Sequence, residues 1–474
     1  MYVFVSRIKR KSPLQQLIVS SITRIIKHRR LQGLISMNVK RTEDRIYIRE
    51  VWESKGDMLR FRKSDHHMKI IHRFRWIFAE RESIQFESDD VPNWDNIKAR
   101  MAPIPIDKIR TKKTVLKRFM KSASFMMPVM IAVMLFIVPS PIKPTSWSPA
   151  EIPTGGVHEP NHLLSRSELL VEGRLAQPED LIFDQSGRLY VGTKDGKIYR
   201  ITMSDERGME HIEVLAETGG YPLGLHFDAD GQLIAAVKEK GLMAISPDGT
   251  IEMLTNEVEG TSITYANELA IATDGTIYFT DSSTKFDRGW PYDILEGQPH
   301  GRLLAYNPVS KETKIVHENM YFPNGLVLSP DEDFLLIAET PRYRIQRFWL
   351  EGPNAGMIEP FAENLPNMPD NLFIDQYGDI WIGGSKRINN IDNLQSSAFL
   401  KKQVSKLPVA LLNKVPTLDR YGLVVRLSSD GTVKQTLHDP DGNVYGISSV
   451  IRKGDTLYMG TLFGEFIGRV ELKR

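Results

Sequence analysis

The sequence predicts an all-β fold, a six-bladed β-propeller, preceded by a basic N-terminal segment and a single apolar helix. Three observations carry that prediction. First, one phrase recurs six times: an apolar triplet, a turn built on Asp and Gly, and a second apolar run. The copies lie at 181–192, 225–236, 269–280, 326–338, 372–383 and, degenerate, around 447–460. Such turns permit positive φ at a hairpin tip, and apolar runs on either side suit strands. Second, the copies are spaced at roughly 40–55 residues, a hairpin repeat that signals a propeller. Third, Glu168–Leu175 precedes the first full copy and is placed to supply an outer strand to the last sheet, which would leave no open edge there.

The remaining elements follow in chain order. Residues 1–121 hold 29 Lys and Arg against 13 Asp and Glu, net +16; the rest holds 32 against 46, net −14. Within this basic segment Arg45–Trp52 reads as a strand and Leu14–Arg30 as a basic amphipathic helix, but the segment as a whole reads as a solvated leader of unknown role. A translation start at Met101 or Met120 would place the next element at the N-terminus. Residues 122–141 carry no charge, with a strongly apolar part at Phe125–Val138. A membrane span needs about 20 such residues. Basic residues precede the run and the first acid after it is Glu151, so it is expected to be a retained signal anchor with the propeller on the extracytoplasmic side. Residues 142–166, rich in Pro and Ser, read as an extended linker, and 167–474 as the propeller, at about 51 residues per blade. The chain has no cysteine, which excludes disulfides, thiolate metal sites and cysteine nucleophiles. An acidic propeller does not favour nucleic acid as a partner.

The polar residues that open the repeats carry the chemistry. Pro178-Glu179-Asp180, Tyr265-Ala-Asn267-Glu268, Pro323-Asn324-Gly325 and Pro369-Asp370-Asn371 each stand just before the first apolar strand of their copy. Alone, each phrase is turn chemistry. In register, they should project from equivalent places on different blades toward one axis. One or two carboxylates with several Asn carbonyl oxygens are hard donors suited to Ca²⁺.

At this point the chain resembles the strictosidine synthase-like and gluconolactonase/paraoxonase superfamily of six-bladed, calcium-binding propellers. The matching phrases are Ala266–Leu269 with Tyr278–Ser283, Gly301–Leu304, Phe322–Gly325 through Ala338–Thr340, Leu365-Pro366 and Pro369–Leu372. The resemblance spans roughly 170–474. It implies calcium ligands at Glu179, Asn267, Asn324, Asp370 and Asn371. Two departures limit it. The glutamate base of plant strictosidine synthase would stand just before Leu457–Phe463, and Gly446–Asp455 contains no Glu, which argues against an amine–aldehyde condensation. The histidine of the paraoxonase Pro-His-Gly phrase is replaced in Pro222-Leu223-Gly224. His226 alternates with Leu225 and Phe227 onto the other face, and His300 and His438 read as loop histidines.

The expected function is therefore calcium-dependent hydrolysis of an ester or lactone at the propeller mouth. Asp370 is the expected base, Asp281 and Glu339 stand near neighbouring mouths, and Tyr265, Phe322, Tyr343 and Met368 are candidates for an apolar wall. The competing class is a propeller that binds a ligand or partner, with calcium only stiffening its centre. No substrate-binding residue is identified by the sequence.

Overall fold

The computed structural model describes residues 1–9, 31–42, 45–64, 81–101, 138–203, 211–287, 289–413 and 420–472. The chain forms two compact units, Met1–Ile131 and Ala132–Arg474.

In the first unit, strands Tyr2–Lys9, Leu34–Arg41, Arg45–Trp52 and Arg81–Glu87 make one antiparallel sheet. The first and third strands are central, and the second and fourth lie at the edges. Alternation sends Tyr2, Phe4 and Ile8 to one face, where Met58 and Phe61 of helix Lys55–Lys63 pack on Trp52. Val3 and Val5 face the other side against Ile97 and Met101 of helix Trp94–Met101. Ser54 caps the first helix by accepting from the Asp57 N–H. The sequence predicts a solvated leader here. Burial on both faces of the two central strands makes it a folded sheet instead, with Arg45–Trp52 as the strand that the sequence predicts. Residues 14–30 and 122–137 lie outside the described residues, so the predicted basic helix and most of the signal anchor do too. Among the described residues, no helix is long and apolar enough to cross a membrane.

The second unit holds six four-stranded antiparallel sheets among its described residues, five of them with their strands in chain order. Their first strands are Pro178–Phe183, Tyr221–Phe227, Ala266–Ile271, Pro323–Leu328, Asn367–Ile374 and Ile447–Lys453. Each first strand neighbours the next, and the sixth neighbours the first, so the sheets form a closed ring, the arrangement of a β-propeller. Every copy of the repeat is the first hairpin of a sheet. In the first two copies Asp holds the turn: Asp184 accepts from the Arg188 N–H at 2.8 Å, and Asp228 from Gln232 N–H at 2.8 Å. The sixth sheet contributes three strands of its own and takes Glu168–Leu170 as its outer strand, Ile467 pairing with Leu170. The predicted closure is thus present, and no edge is left open at the seam.

Residues 138–166, most of which the sequence predicts as an extended linker, are extended but docked. Helices Trp290–Glu296, Asn389–Gln395, Ala398–Val404 and Val409–Leu412 occupy the connections between second and third strands of the third and fifth sheets. They bury Leu295 and Leu412 around Ile142. Thr145 N–H donates to Glu296 O at 2.9 Å, Trp147 N–H to Gln395 O at 3.1 Å, and the buried Arg387 to Ala150 O at 2.7 Å. Prolines that cannot donate in a ladder and one well-placed isoleucine make this stretch a strap over the helices rather than a spacer.

The closing strand should be worth most of a core contact. Leu170→Ala should lower unfolding free energy by about 3 kcal/mol through transfer and cavity terms. This would be read as a fall in urea midpoint at unchanged slope. Val309→Ala, at an exposed turn, should stay within about 0.5 kcal/mol of wild type. An equal response of the two variants would show that the seam is not closed by this strand.

Candidate metal centre at the inner-strand bulges

The first hairpin of every sheet is interrupted at the same place. Register slips between Pro178 and Leu181, Pro222 and Gly224, Ala266 and Leu269, Pro323 and Leu326, Pro369 and Leu372, and Ile447 and Val450. A bulge leaves residues out of the ladder and re-aims their side chains. The residues inside these bulges are Glu179 and Asp180, Leu223, Asn267 and Glu268, Asn324 and Gly325, Asp370 and Asn371, and Ser448 and Ser449. All five predicted metal residues are among them, at equivalent ends of four first strands, and all five are buried.

Close approach of the strands fixes this geometry. A Cβ on Gly325 would meet Asp370 O at 2.3 Å, and one on Gly460 would meet Glu179 O at 2.2 Å. Hydroxyls then lock the bulge carbonyls of the neighbouring sheet. Thr280 donates to Asn324 O at 2.9 Å, Thr340 to Pro369 O at 2.7 Å, and Ser448 and Ser449 to Glu179 O at 2.6 and 2.8 Å.

The amide groups are oriented by what their nitrogens do. Asn267 Nδ2 donates to Ser282 Oγ at 2.8 Å, and Asn324 Nδ2 to Thr340 Oγ1 at 3.2 Å and to Asp370 Oδ1. Asn371 Nδ2 lies 3.4 Å from both oxygens of Glu179. Their oxygens, Asn267 Oδ1, Asn324 Oδ1 and Asn371 Oδ1, are buried and accept nothing from the described residues. An orphaned buried acceptor is costly and asks for a ligand.

The carboxylates carry the same signature. Burial, then the charges of Asp370, Asp180 and Glu268, push the Glu179 carboxyl well above its ordinary range. Burial pushes Asp370 up to about 7, against the Asn324 amide, which pulls it down. Burial likewise raises Asp180 to about 7 and, with the Asp180 charge, raises Glu268. Acids crowded without a cation resist ionisation; a cation beside them reverses this. Two carboxylates and three carbonyl oxygens are hard donors carrying charge −2, which fits a divalent ion such as Ca²⁺. Among the described residues, no group of three or more His, Cys, Asp or Glu side chains is placed to hold a metal ion.

Other predicted residues fall elsewhere. Asp281 accepts from Tyr265 N–H at 3.0 Å and pairs with Arg302 at 2.9 Å; Glu339 accepts from Tyr321 N–H at 2.7 Å and from Arg344 Nε at 2.6 Å. Both are buried locks at the ends of second strands, occupied by backbone and arginine. Tyr265 and Phe322 meet edge-to-face at 5.2 Å and cluster with Leu223, while Tyr343 instead donates to Asp392 at 2.7 Å. Met368 is half-buried near the start of strand Asn367–Ile374. His300 precedes its strand, as expected, and lies 2.7 Å from Glu296. His438 is not a loop histidine: it lies in strand Val433–Asp439, buried between Tyr421 and Thr436, and burial holds it down at about 4. His226 sits 2.9 Å from Phe227 O, outside the bulge. Asp180 and Glu268 belong to the same bulges; the sequence places each in a repeat-opening phrase beside a predicted ligand but not among the ligands themselves. Asp180 accepts from Leu225 N–H and Glu268 from Leu269 N–H, each at 2.9 Å.

The chain is similar to known proteins over most of its length. Residues 267–353 match the strictosidine synthase family model, and 156–201 the strictosidine synthase-like N-terminal model. The chain is 35% identical over 382 residues to adipocyte plasma membrane-associated protein of Rattus norvegicus, covering 75% of this chain and 98% of that protein. It is 32% identical over 312 residues to strictosidine synthase-like 6 of Arabidopsis thaliana, covering 65% and 82%. A solved gluconolactonase from Xanthomonas campestris aligns with a TM-score of 0.48 at 18% identity, covering 71% of this chain and 97% of that one. With a third of its residues shared across nearly the whole of the rat protein, and both family models falling on its bulged hairpins, the chain belongs to the strictosidine synthase-like family that includes adipocyte plasma membrane-associated protein.

Proposed function

We propose that the six sheets are the blades of a six-bladed propeller whose bulge residues Glu179, Asn267, Asn324, Asp370 and Asn371 hold Ca²⁺, and that the protein hydrolyses an ester or lactone there. The observation that carries this reading is the set of three buried amide oxygens without donors, beside two crowded carboxylates, all in equivalent bulges. Bound at these residues, the ion would polarise a substrate carbonyl and stabilise the oxyanion that develops. The protein supplies the rest. Asp370 has Oδ1 engaged by Asn324, so Oδ2 is the oxygen that takes a proton from the attacking water. Tyr265, Phe322 and Leu223 give the acyl or aryl group an apolar wall. The missing family bases at Leu223 and in Gly446–Asp455 leave a carboxylate in that role.

A chelator should lower the melting temperature of the protein, and calcium at about 100 times its Kd should restore about 2.7 kcal/mol. Glu179→Gln should weaken calcium binding and remove most of that gain, measured by calorimetry. Unchanged calcium binding in this variant would displace the ion from the bulges.

Turnover should be assayed on a panel of aryl esters and aliphatic lactones. Asp370→Asn keeps an oxygen ligand and loses the base, so it should keep calcium and lose about 100-fold or more in kcat. Tight calcium binding with no turnover on any panel member would instead support the second reading, a calcium-stiffened propeller that binds a ligand or partner.

We further propose that residues 122–141 anchor the chain in a membrane with the propeller on the extracytoplasmic side, supported by the uncharged run and the basic residues before it. Fractionation should leave the full chain with membranes after alkaline washing, and protease added outside should remove the propeller. A soluble form lacking residues 1–141 would show cleavage instead.

A further inference from the structure

The strap does more than cover the cap helices. Thr145–Trp147 line an open cleft of about 680 Å³ together with Gly297–Pro299, Tyr321 and Arg342. The segments that carry Gly297–Pro299, Tyr321 and Arg342 connect second to third strands, or a fourth strand to the next first strand. They therefore lie on the same side of the ring as the bulges, but none is a bulge residue.

Arg342 dominates the cleft. Its guanidinium carbon lies 3.8 Å from the Tyr321 ring centre and 4.6 Å from that of Trp147. Aromatic rings packed against a guanidinium hold its plane and leave its N–H edge for recognition. Nη2 donates to Gly297 O at 3.1 Å, and among the described residues Arg342 makes no ion pair. Arg344, also in the lining, is already paired with Glu339 at 2.6 Å.

A second cation stands behind the same corner. The buried Lys401 ammonium donates to Thr145 O at 2.6 Å and to Gln395 Oε1 at 3.0 Å, carbonyl oxygens only. Burial and then the Arg342 charge hold it down at about 8, and burial also lowers Arg342. The nearby acid Glu296 is committed to Lys285 and His300 at 2.6 and 2.7 Å. Glu363 stands at the exposed lip, where water screens it. Two partly desolvated cations thus share one corner without a carboxylate in contact.

We propose that this cleft binds an oxyanion, a carboxylate or phosphate carried by a small molecule or a lipid headgroup, through the N–H edge of Arg342. A planar guanidinium edge matches either group in two-point hydrogen bonding. The site is separate from the calcium ring and does not depend on hydrolysis.

The test uses the full chain, with a chelator present so that phosphate cannot report on calcium. Trp147 in the wall makes tryptophan fluorescence a direct readout, paired with calorimetry. Inorganic phosphate, benzoate and chloride are titrated at equal ionic strength, beside phosphatidylcholine vesicles with and without phosphatidic acid. Phosphate or benzoate should bind saturably and chloride should not; binding confined to the phosphatidic acid vesicles would name the headgroup as the source. Arg342→Gln should weaken binding about 10-fold or more. Arg342→Lys keeps the charge and loses the fork, so it should also weaken binding, and it decides the matter if the Gln variant fails to fold. Absence of saturable binding to every oxyanion probe, or wild-type affinity in Arg342→Lys, would overturn the proposal.

Discussion

The convergence of six first strands on one axis is the constraint on which the rest of this propeller depends. Strands brought that close cannot all keep side chains on the inner edge. The chain answers with glycine where a Cβ would strike a neighbouring carbonyl, as at Gly325 and Gly460, and with a bulge at the start of every first strand. A bulge leaves backbone groups unpaired, and these need partners. Hydroxyls supply them. Thr280 and Thr340, at the ends of second strands, and Ser448 and Ser449, in the sixth bulge, each donate to a bulge carbonyl of the next sheet. The crowding that closes the ring therefore also turns pairs of polar side chains out of the ladder, and the candidate metal residues are drawn from those pairs.

The ring is not uniform, and its asymmetry has chemical content. Sheets one, three, four and five turn carboxylates or amides out of their bulges. Sheet two turns out Leu223, which packs with Tyr265 and Phe322, and sheet six turns out two serines that are spent on Glu179 O. The oxygen donors are thus flanked on one side by an apolar cluster. Tyr221 and Tyr265 carry the imprint of the acids as well: burial, followed by the charges of Glu179 and Asp370, keeps both phenols protonated. They remain neutral walls beside a charged centre rather than candidate bases.

Much of this was legible in the sequence because it repeats. Each Asp-Gly phrase became a first hairpin, and the phrases preceding them became bulges, since period-2 strands around a fixed turn leave little choice of register. What does not repeat was hidden. The docking of Ile142 depends on helices more than 140 residues away, so a proline-rich stretch read locally looks like a spacer. The central strands of the N-terminal unit, Tyr2–Lys9 and Arg45–Trp52, bury both faces and so show no clean alternation between polar and apolar residues. Asp281 and Glu339 looked like free mouth carboxylates because the arginines that occupy them, Arg302 and Arg344, sit on the third strand of the same sheet, a pairing that only the ladder reveals.

The relation between the cap and the ring follows from the same topology. Connections between second and third strands emerge on the bulge side, so any insertion there is delivered to the mouth. Sheets three and five carry such insertions, and they meet over Ile142, Leu295 and Leu412. A strap threaded across them adds wall to the mouth without touching the oxygen ring, and in sequence it directly follows the uncharged run. Backbone hydrogen bonds fix Thr145 and Trp147, and this leaves the Trp147 ring to pack on Tyr343 and Arg342. The candidate donors are thereby set by the bulges of four sheets, whereas the cap beside them is built from two insertions and a strap.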